Sequence, residues 1–127
     1  MFSHVTIGAD DIEAAKKFYD AALGALGVPP GTIDVRGRLA YVHGGGRLLI
    51  TNPINGAPVH HGNGHTLGFL GQSPSEVDAW HAAGLANGGT SIEDPPGERH
   101  PPDGRVLYLA YLRDPSGNKL CGWHRIR

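Results

Sequence analysis

The side chains best suited to chemistry lie near the two ends of the chain. Cys121, the only cysteine, follows the turn-forming stretch DPSGN (114–118), and Trp123 shares its face if the segment is a strand. A thiolate can bind zinc or act as a nucleophile beside a base, whereas a buried thiol packs as a small hydrophobic group. His4 supplies an imidazole that can bind a metal, act as a base or form hydrogen bonds inside a cavity.

The other histidines and charged residues form no comparable pattern. His60 and His61 are adjacent in a segment rich in turn formers, so we interpret them as solvent-exposed. Arg99 and Arg105 could clamp an anionic ligand, with simple solvent exposure as the alternative. Solvent exposure is also the interpretation of the acidic residues near the proline-rich segment 95–104, which are Glu93, Asp94, Glu98 and Asp103.

The first half of the chain predicts one strand, one helix and three further strands. Apolar residues alternate over 3–9 and then recur at helical spacing from Ile12 to Leu23. We assign Asp10 as the helix N-cap, with Glu13 completing an acidic form of the capping box. Glycine-rich turns then separate three short strands, at 32–36, 38–43 and 47–52.

The second half repeats this order after a loop at 53–64. Ser73 and Pro74 mark the start of a helix, which Asn87 and Gly88 end. The buried face of this helix is formed by residues at helical spacing: Val77, Trp80, His81, Gly84 and Leu85. The segment 95–104 is predicted to be a loop, and strands are predicted at 65–72, 89–94, 105–113 and 119–126.

Each half therefore has the order strand, helix and three strands. This order predicts an α+β fold in which two βαβββ modules form one domain over 1–127, the first at about 1–55 and the second at about 64–127. Because each helix must bury an apolar stripe, we expect the helices on the outer face of a cup-shaped mixed sheet. The opposite face would then line a cavity that holds His4, Thr6, Cys121 and Trp123.

The composition excludes several classes of protein. The 127 residues include 11 basic and 12 acidic residues, so no basic surplus indicates a nucleic-acid partner. No apolar run approaches the ~18 residues of a membrane helix, and the first residues lack the pattern of a signal peptide. A single cysteine cannot form an internal disulfide. We therefore expect a cytoplasmic protein without a membrane partner.

The order of elements resembles that of the vicinal oxygen chelate (VOC) superfamily, which includes glyoxalase I, bleomycin-resistance proteins, fosfomycin-resistance enzymes and extradiol dioxygenases. Two stretches carry the resemblance, HVTIGADDIEAAKKFYDAALGALG (4–27) and YLRDPSGNKL (111–120). The resemblance implies a cup in which histidines and glutamates of the first, fourth, fifth and eighth strands hold a divalent metal. The metal acts there as a Lewis acid. A homodimer, which would cover the sheet edges, is also implied.

Two of the ligand positions implied by this resemblance lie at the ends of the chain. His4 matches the ligand of the first strand. Cys121 stands where related sequences carry the glutamate of the eighth strand. A thiolate there would be a soft ligand in a site that otherwise suits harder ones, and His4 is the residue that could activate it as a nucleophile.

The other two ligand positions are weaker matches. An alignment through Gly68 places Thr66 at the fifth-strand ligand and His65 one residue early. A shift of one residue points a side chain to the other face of a sheet, so His65 would reach the cavity only through a bulge. The fourth-strand position falls near Ile50 or Thr51, neither of which is a carboxylate.

Because non-ligand residues occupy most of the expected ligand positions, we favour a protein whose metal site is degraded and which binds a small organic molecule. The expected cavity is lined by His4, Thr6, Thr66, Gly68, Cys121 and Trp123, and Trp123 could stack on a flat ligand. The alternative is an enzyme, either a lyase or isomerase like glyoxalase I or a dioxygenase. Its remodelled site would use His4, His65 and Cys121 with a Zn, Ni, Mn or Fe ion. A third possibility is a scaffold or regulatory domain with a filled pocket.

Overall fold

The computed structural model describes residues 1–127 and contains two helices and nine strands. The first half forms β1 (Val5–Gly8), α1 (Ile12–Gly24), β2 (Thr32–Ile33), β3 (Leu39–His43) and β4 (Gly46–Thr51). The second half forms β5 (Leu67–Leu70), α2 (Pro74–Ala86), β6 (Thr90–Ser91), β7 (Gly97–Arg99), β8 (Leu107–Arg113) and β9 (Lys119–Arg125). The predicted α+β fold with two modules is confirmed. Neither helix is long and apolar enough to cross a membrane.

The strands form two mixed sheets that are not hydrogen-bonded to each other. The first sheet has the order β1-β4-β3-β2, and the second has the order β5-β9-β8-β6, with β7 also paired to β8. Within each module the first strand runs parallel to the last, β1 to β4 and β5 to β9, and the other pairs are antiparallel. Consequently β1 and β5 are both edge strands, and the two modules meet without a shared ladder.

The two modules share one hydrophobic core because both helices pack against each other and against the sheets. Helix α1 buries Ala15, Phe18, Tyr19, Ala22 and Leu23. On α2, Trp80 is fully buried, and Gly84 lets the helices approach closely, since a Cβ there would lie 3.1 Å from the ring of Phe18. The opposite side of each sheet has no helix over it and carries exposed residues such as Thr6 and Leu70.

Helix α1 begins one residue later than the sequence indicated. Asp11 is the N-cap, and its carboxylate accepts a hydrogen bond from the Ala14 backbone N–H at 3.0 Å. The assignment of Asp10 as N-cap was therefore wrong. The carboxylate of Asp10 instead accepts from the backbone N–H of Val59 at 2.8 Å, which ties the loop between the modules to the start of the helix.

Helix α2 begins and ends as predicted, but its buried face is narrower. The hydroxyl of Ser73 accepts from the Glu76 backbone N–H at 3.2 Å, and Asn87 is the C-cap. Leu85 was predicted to be buried, yet it is 43% exposed. At 3.6 residues per turn it lies about 90° from the centre of the buried stripe, so it falls at the rim of the core.

Several predicted strands are shorter than expected, and β5 and β2 show why. Strand β5 begins at Leu67, so His65 and Thr66 precede it. Of the segment 32–36, only Thr32–Ile33 is a strand. The Asp34 carboxylate accepts hydrogen bonds from the backbone N–H groups of Arg36 and Arg38 and so closes a turn.

The segment 95–104, predicted to be a loop, contains strand β7. Strand β6 covers only two residues of the predicted strand 89–94, and both β6 and β7 pair with β8. Between them the backbone of Glu93 takes a left-handed conformation with φ of 56°. The module therefore keeps its βαβββ order, with one edge strand interrupted in the middle.

The turn between β8 and β9 ties the two modules together through a buried carboxylate. Asp114 is 4% exposed, and it accepts hydrogen bonds from the Tyr19 hydroxyl at 2.5 Å and from the Asn118 side chain at 2.8 Å. Asn118 also donates to the carbonyl of Gly8 in β1 at 2.8 Å. Burial, reinforced by the neighbouring carboxylate, raises the pKa of Tyr19 well above its usual value. The aspartate of DPSGN is thus a structural acceptor.

Candidate functional site

Two cavities lie between the modules, along the edge strands β1 and β5. The larger has a volume of about 720 Å³ and is lined by the start of β1, the end of α1, the β3–β4 hairpin and β5. The smaller has a volume of about 270 Å³ and is lined by the rest of β1, the connecting loop and the start of β9. Leu67 contributes to both, so the two cavities are neighbours along one seam.

The larger cavity, called the seam cavity below, has a mostly apolar lining without acidic residues. Ten hydrophobic residues line it: Phe2, Val5, Leu23, Leu26, Val28, Tyr41, Leu48, Leu67, Phe69 and Leu70. Its polar side chains are Ser3, His4, His43, Arg47, Thr66 and Gln72. Three glycines complete the lining, and neither aspartate nor glutamate contributes to it. An apolar volume with a few polar groups is the usual composition of a small-molecule site.

Gly68 leaves space on the seam side of β5. A Cβ built on this residue would meet no atom within 4 Å, and its backbone does not need the left-handed conformation. A larger side chain at this position would therefore fit the strand and project into open space. The volume next to β5 depends on the absence of a side chain at position 68.

The residues predicted to line one cup are divided between different places. His4, Thr66 and Gly68 line the seam cavity, whereas Thr6 and His65 line the smaller cavity. Cys121 and Trp123 line neither of these two cavities. The structure brings three of the predicted residues together but does not place the sulfur of Cys121 beside the imidazole of His4 in either cavity.

The two histidines proposed as metal ligands make hydrogen bonds with neighbouring residues. The Nδ1 atom of His4 lies 2.8 Å from the Ser3 hydroxyl, and the imidazole is exposed. The Nε2 atom of His65 lies 2.7 Å from the carbonyl oxygen of His61. Because His65 lies in the loop before β5, no bulge within the strand turns it towards His4.

Cys121 is a buried thiol. Its side chain is 7% exposed, and the sulfur donates to the Gly122 carbonyl at a distance of 3.4 Å. Burial raises the pKa of the Cys121 thiol, although a hydrogen bond from the Tyr111 hydroxyl acts in the opposite direction. The thiol is therefore protonated at neutral pH, and the nucleophile and the metal ligand both need the thiolate.

The remaining ligand positions also lack suitable donors. Ile50 is fully buried in the core, and the Thr51 hydroxyl donates to the carbonyl of Asn52 at 3.2 Å. No group of three or more His, Cys, Asp or Glu side chains is arranged to hold a metal ion. The donors present do not fit the centre of histidines and glutamates that the resemblance implies.

Other charged residues that the sequence singled out have structural contacts. The guanidinium of Arg99 donates to the carbonyls of Asp94 and Pro95, and that of Arg105 donates to the Asp103 carboxylate at 2.7 Å. Both arginines thus stabilise local turns.

His60 and His61 are exposed as predicted, and they also line the smaller cavity. The ring of His61 packs against Gly117, where a Cβ would lie 2.8 Å from its Nδ1 atom.

Sequence reasoning missed Arg47, His43 and the apolar residues around the end of α1. Arg47 is the first residue of the strand predicted at 47–52, directly after a glycine turn, where an arginine is normally a surface residue. Leu26 and Val28 follow the helix and gave no periodic signal. Only the packing of the modules brings these segments together, so no local pattern could have placed them at one cavity.

Comparison with known proteins agrees with the fold. The family profile described as the Glyoxalase/Bleomycin resistance protein/Dioxygenase superfamily matches residues 1–121. The chain therefore belongs to the glyoxalase/bleomycin resistance protein/dioxygenase superfamily. No curated protein matches the chain.

Solved structures resemble the chain over nearly its whole length. A glyoxalase/bleomycin resistance protein from Albidiferax ferrireducens T118 has 58% identity and a TM-score of 0.93, with 98% of this chain and 99% of that chain covered. A lactoylglutathione lyase from Agrobacterium tumefaciens has 23% identity and a TM-score of 0.64, with 97% and 92% covered. A glyoxalase-related enzyme from Fulvimarina pelagi has 21% identity and a TM-score of 0.70, with 97% and 86% covered. The last two show the fold alone.

Proposed function

We propose that the protein binds a small organic molecule in the seam cavity without the help of a metal ion. The observation that carries this proposal is the cavity of about 720 Å³, lined by ten hydrophobic residues and no carboxylate. Small-molecule sites are usually concave, largely apolar and about 300–1,000 Å³ in volume. A lining without acidic side chains offers a hard divalent cation few of the oxygen ligands it prefers.

The positions of the candidate catalytic residues favour binding over a metal-centred reaction. An enzyme with a site of His4, His65 and Cys121 would need these side chains around one substrate. His4 lines the seam cavity, His65 lines the smaller one, and Cys121 is a buried protonated thiol outside both. Binding in the seam cavity requires no such convergence.

We also propose that the protein forms a homodimer. Val42 and Leu70 are 65% and 61% exposed on the sides of the sheets that no helix covers. At the ends of the sheets away from the seam, β2 and β6 have unpaired backbone groups, which a second copy could cover. Light scattering should give twice the chain mass of 13.4 kDa; a monomer at micromolar concentration would contradict the dimer.

A cytoplasmic location stays a prediction. The buried free thiol of Cys121 agrees with a reducing compartment. The net charge of −1 continues to argue against a nucleic-acid partner.

The proposed function can be tested by filling the cavity. We expect a neutral apolar dye, such as Nile red, to bind protein that has been treated with a chelator. The Gly68→Leu variant should fold normally and bind at least about tenfold more weakly, because the new side chain occupies the volume beside β5.

The matched control is Gly24→Leu, since Gly24 also has open space around it but lies outside the cavity lining. It should bind the dye like the wild type. Binding that needs an added metal ion, or that is equal in the wild type and in Gly68→Leu, would contradict the proposal.

A further inference from the structure

We propose that the ligand of the seam cavity is an apolar molecule that carries a carboxylate, and that Arg47 binds this carboxylate. The inference rests on the proposed function, because it names the chemical class of ligand for the same cavity. Two features of the cavity carry it: the charge of its lining and the freedom of the Arg47 guanidinium.

The cavity lining has one fixed charge, and that charge is positive. Arg47 is the only arginine among the 19 lining residues, and no lysine, aspartate or glutamate accompanies it. A guanidinium stays protonated throughout the physiological range of pH. A cationic ligand would meet Arg47 without a compensating carboxylate, whereas an anionic ligand would neutralise it.

The guanidinium of Arg47 is available because the protein does not use it. Four other arginines are occupied: Arg38 and Arg105 pair with aspartates, and Arg99 and Arg113 donate to backbone carbonyls. Of the arginines without such a contact, only Arg47 lines the cavity. None of the five ion pairs of the protein includes Arg47. Its donors can therefore form the two parallel hydrogen bonds with which arginine binds a planar carboxylate.

The surroundings of Arg47 define the rest of the ligand. Arg47 lies opposite Val42 in the β3–β4 hairpin, and His43 from the same hairpin also lines the cavity. The other walls include Leu26 and Val28 after α1 and Phe69 of β5. A molecule with an apolar body and one carboxylate can bury the body against these walls and place the charge at the hairpin. A strongly polar metabolite would bury polar groups against these apolar walls without hydrogen-bond partners, which costs free energy.

Two ligands of the same shape, one charged and one neutral, distinguish the contribution of the carboxylate to affinity from that of the apolar body. We expect 2-naphthoate to bind chelator-treated protein at least about tenfold more tightly than the neutral 2-naphthamide, because a charge-assisted hydrogen bond contributes more than a neutral one. The difference should become smaller at high salt, since Arg47 is exposed to solvent at one side of the cavity. Isothermal titration measures both affinities.

Substitution of Arg47 should remove the preference and leave the apolar contribution. In the Arg47→Gln variant we expect naphthoate to fall to the affinity of naphthamide, with the affinity for naphthamide itself unchanged. Arg36→Gln is the matched control, because Arg36 is exposed and does not line the cavity. This control should keep the preference for naphthoate.

The outcomes distinguish this inference from the function on which it rests. Equal affinities of the wild type for both compounds, or a preference that survives in Arg47→Gln, would overturn the role of Arg47 while a binding cavity remained. If neither compound nor Nile red binds, the proposed function fails, and the inference fails with it. A preference for naphthoate that Arg47→Gln abolishes and Arg36→Gln retains would support the inference.

Discussion

The two sides of the second sheet differ in how completely they are filled. On the side that faces α2, a Cβ at Gly122 would lie 2.7 Å from the ring of Trp80. On the other side, a Cβ at Gly68 would meet nothing within 4 Å. The two glycines lie on neighbouring paired strands, Gly68 opposite Cys121 and Gly122 opposite Phe69. At Gly122 the ring of Trp80 leaves no room for a side chain, whereas at Gly68 the space that a side chain would occupy stays open.

The filled side of the sheet stabilises the fold, and the open side leaves space for a ligand. Close packing and buried hydrogen bonds on the helix side hold the two modules together. The DPSGN turn contributes to that side, because Asp114 accepts from Tyr19 and sits at the junction of the modules. The residues that identify the superfamily in the sequence thus explain the fold, whereas the space for a ligand lies along the edge strands.

The largest effect is expected from removing the buried carboxylate at the junction. Asp114→Ala leaves the Tyr19 hydroxyl and the Asn118 side chain without their acceptor. A buried donor left without its acceptor typically costs about 1–3 kcal/mol, and this substitution leaves two side-chain donors in that state. Urea denaturation should show this decrease in the free energy of unfolding. Asp103→Ala, in the exposed turn before Arg105, is the control, and a similar loss in both variants would contradict the structural role of Asp114.

The comparison of the two sides is tested directly by a pair of glycine substitutions. Gly122→Ala must displace the ring of Trp80, and overpacking of this kind typically costs about 1–3 kcal/mol. Gly68→Ala should leave the stability unchanged or slightly increased, because the methyl group has open space and the unfolded chain loses freedom. Thermal and urea unfolding of the two variants give the difference. Equal destabilisation would mean that both sides are filled.

The reactivity of Cys121 tests how closely its own surroundings are packed, because Cys121 pairs with Gly68 and shares the open side of the sheet. Its thiol is buried and its pKa is raised by burial, so reaction with Ellman's reagent at neutral pH should be at least about tenfold slower than for an unfolded chain. The rate should increase with pH as the thiolate forms. The same protein in urea serves as the reference. A fast reaction in the native protein would place a reactive thiolate on the open side and revive the enzymatic alternative.

The smallest effect is expected from His81, on the filled side. Its Nε2 atom lies 3.0 Å from the Ser91 hydroxyl, and burial lowers the pKa of the imidazole. A folded-state pKa below the unfolded value means that the unfolded chain binds more protons, so stability should fall as the pH falls below about 6.5. We expect His81→Gln to lose less stability than the wild type between neutral pH and pH 5. An identical pH dependence would contradict a buried neutral imidazole.

The sequence was sufficient for the fold because periodicity and caps are local signals. The apolar stripes identified both helices, and Ser73 marked the start of α2. The N-cap of α1 was misplaced because two adjacent aspartates, Asp10 and Asp11, are equally good caps. Strand β7 was missed because proline and glycine dominate 95–104 and hide the pairing with β8.

The site could be predicted only in part. Alignment to the superfamily selected His4, Thr66 and Gly68, and all three line the seam cavity. It did not reveal that Cys121 lies outside this cavity, since the face of a strand does not determine which cavity a side chain reaches. Arg47 gave no signal, because a free surface arginine and a cavity arginine look alike until the modules are packed together.

The most direct test is a crystal structure of the protein with 2-naphthoate, grown after treatment with a chelator. The expected result is the naphthalene ring in the seam cavity, against Leu26 and Phe69, with the carboxylate on the guanidinium of Arg47. A ligand bound instead beside Cys121 and Trp123 on the open side of the second sheet, or held through a metal ion at His4, would contradict a cavity that binds its ligand without chelation.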